Sequence, residues 1–555
     1  MNALDASVCE AQAADLDPFG RDIGWRDMPA EPPEAPASLS DVFVEFTPSP
    51  QDWRDQVLYS LLIDRFDRRP PFRTWGDPAC PQARHGGNLR GVLERLDYLQ
   101  GLGATTLHVG PVFMNPPSGY HQYWPVHLLA VDPHLGTLAE LRRLVKGLHR
   151  RGMYFVLDMV FNHTAPVLEY HDGFEFGPRK EVRRWRYPVK PVELARDEHY
   201  SLRGDISDWG DPEQYAHGDL PGGVNKLRTE HPATQDILID VAKWWIKETD
   251  ADGFRLDAYP HVAREFWARL SQEVRSYAAR LGKRDFLLLG ELFDGDASHY
   301  APEFESGRLT AAYDYPGYFW EEAALHWKAP TRALEESDRR LRAALGGRAQ
   351  SLVSFLSNHD RGHFLGEGEP AGLLKAALGH LLTDARIPSL YGDEQAWRRA
   401  AGREWLDVEA FREDRFPEGL FKNPDASADG FDTEVSLYRW TARLACLRRS
   451  FPALRRGEKL VRWSDPDGPG LYAFSRVHEG REVLVVLNTA GEPRSARMSL
   501  DPRLSPPGSI LLDALDPACA VRIGEGSQAL VQTPPYGVRV FVNGAKEQSN
   551  NRIPS

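Results

Sequence analysis

The sequence predicts an α/β protein built around a (β/α)8 TIM barrel, and three observations support this fold class. Eight short apolar runs alternate with segments in which apolar residues recur every three or four positions. This alternation is typical of parallel strands joined by helices, and eight strands is the number that closes such a barrel. A long connection follows the third run, and short alternating runs fill the C-terminal end. We therefore expect an insertion after strand three and a C-terminal antiparallel β-sandwich.

The predicted strands are rich in Val, Leu, Ile and Phe, as buried parallel strands are. They cover residues 57–66, 105–112, 154–162, 253–258, 286–292, 310–315, 351–358 and 387–394. The helical period predicts amphipathic helices at 89–103, 137–152, 237–250 and 262–282. An open doubly wound sheet is the alternative arrangement. It usually carries a glycine-rich fingerprint after its first strand, which is missing here.

Changes in composition along the chain predict the domain boundaries. The first 50 residues are rich in Pro, Ala and acidic side chains, which favours an extended segment. The connection after strand three is too long for an ordinary loop and is expected to form a subdomain. In chain order we expect an N-terminal arm at 1–50, the barrel at 51–163 and 225–435, the insertion at 164–224, the last barrel helix with the β-sandwich at 436–545, and a tail at 546–555.

Composition and charge exclude several classes of partner. The net charge is −13 over 555 residues, which argues against nucleic acid or an anionic membrane and suits a neutral substrate. The sequence contains no apolar run near the roughly 20 residues that a membrane span needs. The N-terminal stretch is acidic and lacks the pattern of a signal peptide, so we expect a cytoplasmic protein.

The four cysteines are far apart in the sequence, at Cys9, Cys80, Cys446 and Cys519. They form no CxxC pair, which argues against a zinc site and against a disulfide framework. We expect all four to be reduced thiols.

Ionisable residues gather where the predicted strands end, which is where a barrel carries its active site. They are Asp158, Asn162 and His163 on strand three, Arg255 and Asp257 on strand four, Glu291 on strand five, and His359 with Asp360 on strand seven. Unpaired like charges repel each other strongly, so carboxylates at four matching strand ends indicate a functional site more than they indicate packing.

A pocket lined by carboxylates can hold a divalent metal or cleave a glycosidic bond, and the second reading is favoured here. Metal centres usually gather more His, Asp or Glu ligands around one point. Arg255 shares a strand face with Asp257 and is expected to keep that carboxylate ionised, as a nucleophile requires. Glu291 follows the apolar stretch FLLLG, where desolvation is expected to raise its pKa and keep it protonated. Two carboxyl groups with separated pKa values are typical of glycoside hydrolysis.

Several short motifs resemble those of a known family. DMVFNH (158–163), GFRLDA (253–258), GEL (290–292) and SNHD (357–360) are similar, in this order, to the four core motifs of the α-amylase superfamily, glycoside hydrolase family 13. YHQYW (120–124) and IPSLYGDE (387–394) resemble its elements after strand two and on strand eight. The insertion corresponds to the family's domain B and the sandwich to its domain C, so the resemblance covers roughly residues 55–545.

The resemblance implies a retaining double displacement at an α-glucosidic bond. Carried onto the matching positions, it makes Asp257 the nucleophile, Glu291 the general acid and base, and Asp360 the residue that stabilises the distorted sugar. It implies that the sugar at the −1 subsite is contacted by His163, His359 and His121 and stacks on Tyr123. Arg255 would orient Asp257, and Asp158 would hold Arg255 and the sugar in register.

The segment after the nucleophile departs from the family pattern. The family's amylases usually carry Lys-His there, whereas this chain has Pro260 and His261. The lysine contacts acceptor sugars, so acceptor binding must differ, and a proline resembles trehalose-synthase-like members. His261 is expected either to contact an acceptor sugar or to pack near the strand end. Trp209, within the insertion, is expected either to stack on a sugar or to belong to the core.

The resemblance implies no cofactor for the chemistry and leaves a structural calcium open. Asn162 is a candidate ligand. The segment GDLPGGVNKL (218–227) matches the family's LPDLD-type motif only loosely and lacks its Asp. The arginines of DRFDRRPP (64–71) also disfavour a calcium loop seen in some relatives. The metal ligands therefore stay unassigned.

The expected function is that of a retaining α-glucoside hydrolase acting on malto-oligosaccharides or α-glucans through a covalent β-glucosyl-enzyme intermediate. The first alternative is a transglycosylase or isomerase, trehalose-synthase-like or a glucanotransferase, that uses the same residues. A more remote alternative is a sugar-binding or scaffold relative without activity. Such relatives lose the catalytic carboxylates, whereas Asp257, Glu291 and Asp360 are all present. The oligomeric state stays open.

Overall fold

A computed structural model of the chain describes residues 45–326, 329–399, 411–423 and 429–543. The predictions for most of the N-terminal arm and for the 546–555 tail lie outside these ranges.

Eight parallel strands close into a barrel, as the sequence predicts. They are β1 (Leu58–Leu61), β2 (Thr106–Val109), β3 (Tyr154–Met159), β4 (Gly253–Leu256), β5 (Leu287–Gly290), β6 (Ala311–Tyr313), β7 (Leu352–Phe355) and β8 (Ile387–Leu390). Each strand pairs with the next in chain order, and β8 closes the barrel on β1, with Ser389 opposite Leu58.

Each strand ends earlier than the apolar run that predicted it. The run 57–66 is a strand only as far as Leu61 and then forms a helical turn, Ile63–Phe66. The run 154–162 ends as a strand at Met159, yet Val160 and Phe161 are fully buried. Apolar content marks burial and does not distinguish a buried strand from the buried loop that continues it. These loops are the segments that carry the site.

Helices surround the barrel. They span Leu89–Glu94, Leu96–Leu102, Leu138–Arg150, Pro232–Thr249, Arg264–Arg280, Ala301–Glu305, Tyr315–Leu325, Arg332–Leu345, Ala371–Thr383, Ser436–Ser450 and Pro452–Arg456. Thr137 and Glu140 form a capping box that starts the second predicted helix. The first predicted helix is interrupted at Arg95, whose backbone is not helical. No helix in the described ranges is long and apolar enough to cross a membrane.

The insertion after β3 is closed at its base by a short antiparallel ladder. His163–Thr164 pairs with Asn225–Lys226, so the two ends of the insertion lie side by side at the open end of the barrel. Inside it, Leu168–Tyr170 pairs with Val182–Trp185, and a helix spans Pro212–His217. Leu168 and other apolar residues of this domain B join the main hydrophobic core. The insertion is therefore packed on the barrel above the strand ends.

The C-terminal segment forms the predicted antiparallel sandwich. Its strands are β9 (Glu458–Ser464), β10 (Leu471–His478), β11 (Arg481–Asn488), β12 (Arg494–Ser499), β13 (Ile510–Asp513), β14 (Ala520–Arg522), β15 (Gln528–Thr533) and β16 (Val538–Asn543). One sheet has the order β9-β10-β11-β16-β13-β14, and β12 pairs with β15 in the other. Leu484 and Phe541 of the first sheet share a buried core with Met498 and Val531 of the second.

The expectation of a reduced thiol is wrong for Cys80, and the prediction for Cys9 lies outside the described residues. Cys80 is disulfide-bonded, whereas Cys446 and Cys519 are free. Spacing in the sequence does not reveal such a pairing, because a disulfide requires proximity in space only.

Candidate active site

The predicted site residues converge on a cavity of about 570 Å³ at the C-terminal end of the barrel. Seven of the ten line it, namely His121, Tyr123, His163, Asp257, His261, Glu291 and Asp360. The other three, Asp158, Arg255 and His359, are buried and contact the lining residues by hydrogen bonds or ion pairs. All ten therefore belong to one connected site.

Arg255 is the centre of this site. It lies on β4, with Asp158 of β3 directly opposite in the register. Its Nη1 donates to Asp257 Oδ1 at 2.6 Å and to Asp158 Oδ1 at 3.0 Å, and its Nη2 lies 2.7 Å from Glu291 Oε1. One buried guanidinium thus contacts three carboxylates. Because Asp257 and Glu291 both touch it, their carboxyl groups are held beside each other at the cavity.

Burial raises the pKa values of the two adjacent carboxyl groups. Desolvation, opposed by Arg255, raises the pKa of Asp257 to about 7 and that of Glu291 to about 8. The expectation that Arg255 keeps Asp257 fully ionised therefore needs correction, because one guanidinium is shared among three acids. Both carboxyl groups therefore favour the protonated form more than free carboxyl groups do, and they titrate as one coupled pair.

A strained backbone follows Asp257. Ala258 adopts a left-handed conformation with φ 47° and ψ 38°, which is unfavourable for a residue with a Cβ. Its N–H donates to Glu291 Oε2 at 2.9 Å. Local strain of this kind persists where the surrounding structure imposes it, often at functional sites. Here it points a backbone donor at the Glu291 carboxyl group.

Asp360 stands in a different electrostatic environment. Its Oδ2 lies 2.9 Å from His359 Nε2, and its Oδ1 accepts from Arg412 Nη2 at 2.9 Å. Burial alone would raise the pKa of Asp360, but the His359 and Arg412 charges outweigh it and hold that pKa well below its usual range. Arg412 also donates to the carbonyl oxygen of His359 and to the Tyr120 hydroxyl. Asp360 is therefore a fixed anion at the cavity wall.

Tyr123, His121 and His163 form the inner wall of the cavity, and His359 packs against Tyr123. The Tyr123 hydroxyl donates to Asp158 Oδ2 at 2.7 Å and lies 2.9 Å from His359 Nε2. The Tyr123 and His359 rings stack with centroids 5.4 Å apart. His163 Nε2 bonds the Tyr123 carbonyl, and His121 Nδ1 accepts from the Tyr123 N–H. Burial lowers the pKa values of His163, to about 4, and of His121. Both rings are therefore neutral donors or acceptors near neutral pH.

The outer side of the cavity is aromatic. Trp209 of domain B and Phe293, two residues after Glu291, line it and remain 53% and 52% exposed. The Tyr215 and His261 rings pack 4.2 Å apart, and the Trp209 ring lies 5.9 Å from His261. The interpretation of Trp209 as a core residue is therefore wrong, and its stacking on a sugar stays a prediction. His261 both lines the cavity and packs on its neighbours, so neither of its two readings excludes the other.

The surroundings of Asn162 do not fit a calcium ion. Lys226 Nζ donates hydrogen bonds to Asn162 Oδ1 and to the His261 carbonyl oxygen. Calcium takes six to eight oxygen ligands, and here an amino group uses the oxygen that Asn162 would offer. The nearby Asp219 carboxylate accepts from the Lys226 N–H and from the Tyr170 hydroxyl. No cluster of three or more His, Cys, Asp or Glu suited to a metal occurs among the described residues.

Sequence reasoning missed several residues of this site. Arg412, Phe293, Tyr215 and Arg361 line the cavity, and His108 lies 3.4 Å from Asp158 beneath it. His108 lies on β2, and its place near the strand end was a usable signal. Arg412 follows β8 in an irregular segment, so nothing in the local sequence marks it.

Comparison with known proteins identifies the family. The family described as "Alpha amylase, catalytic domain" matches residues 60–395. An "Alpha-amylase" from Streptomyces lividans is 30% identical over 83% of this chain, and an "Intracellular maltogenic amylase" from Bacillus subtilis is 31% identical over 56%. The matches cover 58% and 50% of those proteins, so the chain spans about half the length of these relatives.

A solved structure resembles the whole described fold. The α-amylase from Geobacillus thermoleovorans, crystallised with acarbose, superposes with a TM-score of 0.73 at 28% identity. The match covers 89% of this chain and 99% of that one. With the family match over more than half of the sequence, these findings place the chain in the α-amylase family.

Proposed function

We propose that this chain is a retaining α-glucoside hydrolase that acts on malto-oligosaccharides or α-glucans. One observation carries the proposal: Arg255 joins Asp257 and Glu291 at the cavity, and desolvation raises the pKa values of both carboxyl groups, so that one of them can stay protonated as the acid that the reaction needs. Retention requires the two carboxyl groups to lie about 5–5.5 Å apart. Their contacts to the two terminal nitrogens of one guanidinium place them side by side at the cavity.

In the first step, an Asp257 oxygen attacks the anomeric carbon while the Glu291 proton passes to the leaving glycosidic oxygen. The C–O bond to the leaving sugar breaks as the bond to Asp257 forms, which gives a β-glucosyl-enzyme and releases the leaving sugar with a free hydroxyl at its non-reducing end. In the second step, Glu291, now ionised, takes a proton from water, and the resulting oxygen displaces Asp257. Two inversions leave the anomeric configuration unchanged.

The remaining residues bind and orient the sugar in this proposal. Asp360, held as an anion by Arg412 and His359, accepts from sugar hydroxyls and stabilises positive charge at the anomeric carbon. Tyr123 offers an aromatic face, and the neutral His121 and His163 rings offer hydrogen bonds. Asp158 and Arg255 lie beneath the cavity and position the reacting carboxylates.

Transfer to a sugar acceptor is the second candidate function, and a specific observation favours it. Trp209 and Phe293 expose aromatic faces on the outer side of the cavity, and aromatic faces bind sugar rings in competition with water. Pro260 stands beside them where the family's amylases usually have lysine. A glucosyl-enzyme that holds an acceptor there would transfer to it.

Product analysis tests both functions. Purified protein is incubated with maltose, maltotriose, starch, sucrose and trehalose, and products are identified by thin-layer chromatography and mass spectrometry. Hydrolysis predicts glucose and shorter maltosaccharides. Longer oligosaccharides or trehalose that form faster than glucose would replace hydrolysis with transfer or isomerisation. Failure to change any α-glucoside would contradict both.

We also propose a cytoplasmic location, supported by the similarity to the intracellular maltogenic amylase. Cell fractionation with an antibody decides between this location and the oxidising compartment that the disulfide of Cys80 favours.

A further inference from the structure

We propose that Lys226 is a positioning residue that ties domain B to the barrel at the active site and takes the place of a structural calcium ion. The inference goes beyond the proposed function, although its kinetic test rests on that function. It starts from the finding that the Lys226 amino group donates hydrogen bonds to Asn162 Oδ1 and to the His261 carbonyl oxygen.

Lys226 is built to hold this position. It lies on the short domain B strand directly opposite His163, and its side chain is almost fully buried. Its backbone N–H is held by Asp219 at 2.7 Å, and the Asp219 carboxylate is itself fixed by the Tyr170 hydroxyl. A buried amino group is costly unless its protons are bonded, so the two oxygen acceptors account for its presence.

On the side of the cavity that binds the sugar to be transferred, Lys226 is connected to the inner wall by hydrogen bonds through Asn162 and His163. Lys226 bonds Asn162 Oδ1, which orients the amide so that Nδ2 lies 3.2 Å from His163 Nδ1. The other nitrogen of that ring bonds the Tyr123 carbonyl oxygen. Loss of the amino group would free the Asn162 amide to rotate and would loosen the His163 ring.

On the acceptor side, the same amino group bonds the carbonyl oxygen of His261. This carbonyl belongs to a short 3-10 turn, Tyr259–His261, that begins two residues after Asp257. The His261 ring packs on Tyr215 and lies beside Trp209, at the aromatic outer side of the cavity. Lys226 therefore fixes the turn that leads from the nucleophile to the acceptor face.

A calcium ion at this point would join the same segments through oxygen ligands. Lys226 joins them instead through hydrogen bonds from a side chain of the protein itself, and these donors do not depend on a metal supply. We therefore infer that activity and thermal stability are independent of calcium.

The first test uses the protein unchanged. Dialysis against EDTA, followed by assay on maltotriose with and without added calcium, is expected to leave kcat, KM and Tm unaltered. Activity that is lost on chelation and restored by calcium would overturn the proposal. Because calcium titration can also be followed by Tm alone, this test remains decisive even if the protein cleaves no α-glucoside, a result that would contradict the proposed function only.

The second test is Lys226→Met, which keeps the length of the side chain and removes its donors. If the loss of the amino group displaces the reacting groups, kcat should fall by about 10- to 100-fold. They also predict a changed ratio of transfer to hydrolysis products. That ratio does not depend on how much enzyme is folded, so a merely structural role would leave it unaltered.

Lys180→Met is the matched control. Lys180 is also a buried lysine of domain B, but it pairs with Asp172 at 3.3 Å and does not line the cavity. Its replacement is expected to leave the product ratio at the wild-type value. Wild-type kcat and product ratio in Lys226→Met would overturn the proposal. If that variant does not fold, the chelation result decides alone.

Discussion

Two clusters of buried charges lie at opposite ends of the barrel, and each contains an arginine and an aspartate two residues apart. The pKa of the aspartate is raised in one cluster and lowered in the other. At the C-terminal end, Arg255 and Asp257 lie two residues apart, and at the N-terminal end Asp384 and Arg386 do so as well. Asp384 receives Arg386 Nε at 2.6 Å on one oxygen and Lys459 Nζ at 2.5 Å on the other. These two charges outweigh burial and hold the pKa of Asp384 well below its usual range.

Asp257 has the opposite balance. It receives one guanidinium nitrogen, which it shares with Asp158, while Glu291 uses the other nitrogen. The effect of burial on Asp257 therefore outweighs the effect of the Arg255 charge, and the pKa of Asp257 rises. An arginine next to a buried aspartate does not decide whether the pair is structural or chemical. Arg255 and Arg386 each contact three carboxylates, and Asp384 differs from Asp257 because a second cation, Lys459, contacts it as well.

The largest expected difference between the two clusters is in catalysis. Glu291→Gln removes the transferable proton and is expected to lower kcat on maltotriose by about 10²- to 10⁴-fold, the range for general acid–base catalysis. Asp384→Asn is expected to leave kcat per folded molecule unchanged. The measurement is steady-state kinetics normalised to folded protein. Undiminished turnover in Glu291→Gln would remove the acid assignment.

The next expected difference is in folding stability, and here Asp384→Asn destabilises the protein more than Glu291→Gln does. Asp384→Asn removes the carboxylate that Arg386 and Lys459 share, whereas Arg386 keeps Asp314 and Glu321 and Lys459 keeps Asp338 at 3.6 Å. The change should therefore cost no more than about 3–5 kcal/mol, the value for removal of one member of a buried pair. Glu291→Gln relieves a desolvated acid instead. A carboxyl group whose pKa is raised in the folded state loses stability as pH rises, so Glu291→Gln should be more stable than wild type at alkaline pH. Denaturant unfolding at pH 6 and pH 9 measures both effects.

The pH dependence of kcat/KM sharpens the comparison further. Asp257 must be ionised and Glu291 protonated, so activity should fall as pH drops through about 7 and as it rises through about 8. The profile is then a bell whose limbs report the coupled pair. An alkaline limb that persists unchanged in Glu291→Gln would assign it to another group.

The smallest of these effects is expected at Asp360. Arg412→Met removes the guanidinium that donates to Asp360 Oδ1, while the contact of His359 with Asp360 Oδ2 remains. Loss of one charged hydrogen bond is worth about 1.5–3 kcal/mol, so kcat/KM should fall about 10- to 100-fold with a larger effect on kcat than on KM. Arg412→Lys is the matched control that retains the charge. Equal kinetics in Arg412→Met and wild type would show that His359 suffices.

The sequence predicted the parts of this molecule that are encoded locally. Asp257 and Glu291 directly follow their strands, so apolar runs and strand order were enough to place both at one end of the barrel. The strand ends were set too late, at 258 and 292, because the buried loops continue the apolar pattern. The helical break at Arg95 was missed for the same reason, since the apolar period continues through it.

Contacts between distant segments could not be predicted in this way. Arg412 reaches Asp360 across 52 positions, and Lys226 reaches Asn162 across 64. Arg412 stands in no motif, and Lys226 lies in the segment GDLPGGVNKL (218–227), which matches its family motif only loosely. Their partners, Asp360 and Asn162, were interpreted as a sugar-stabilising residue and a candidate calcium ligand, respectively. The left-handed Ala258 has no sequence signal at all, because an alanine there is unexceptional until the backbone is known.

The central claim is that Asp257 forms a covalent bond to the sugar. A glucosyl fluoride needs no acid to leave, so Glu291→Gln incubated with α-maltosyl fluoride should accumulate the intermediate, because its second step lacks a base. Peptide mass spectrometry after an acid quench is predicted to find the glycosyl mass on the peptide containing Asp257. Label on a different carboxylate, or an unlabelled enzyme that releases only β-configured product, would contradict the account.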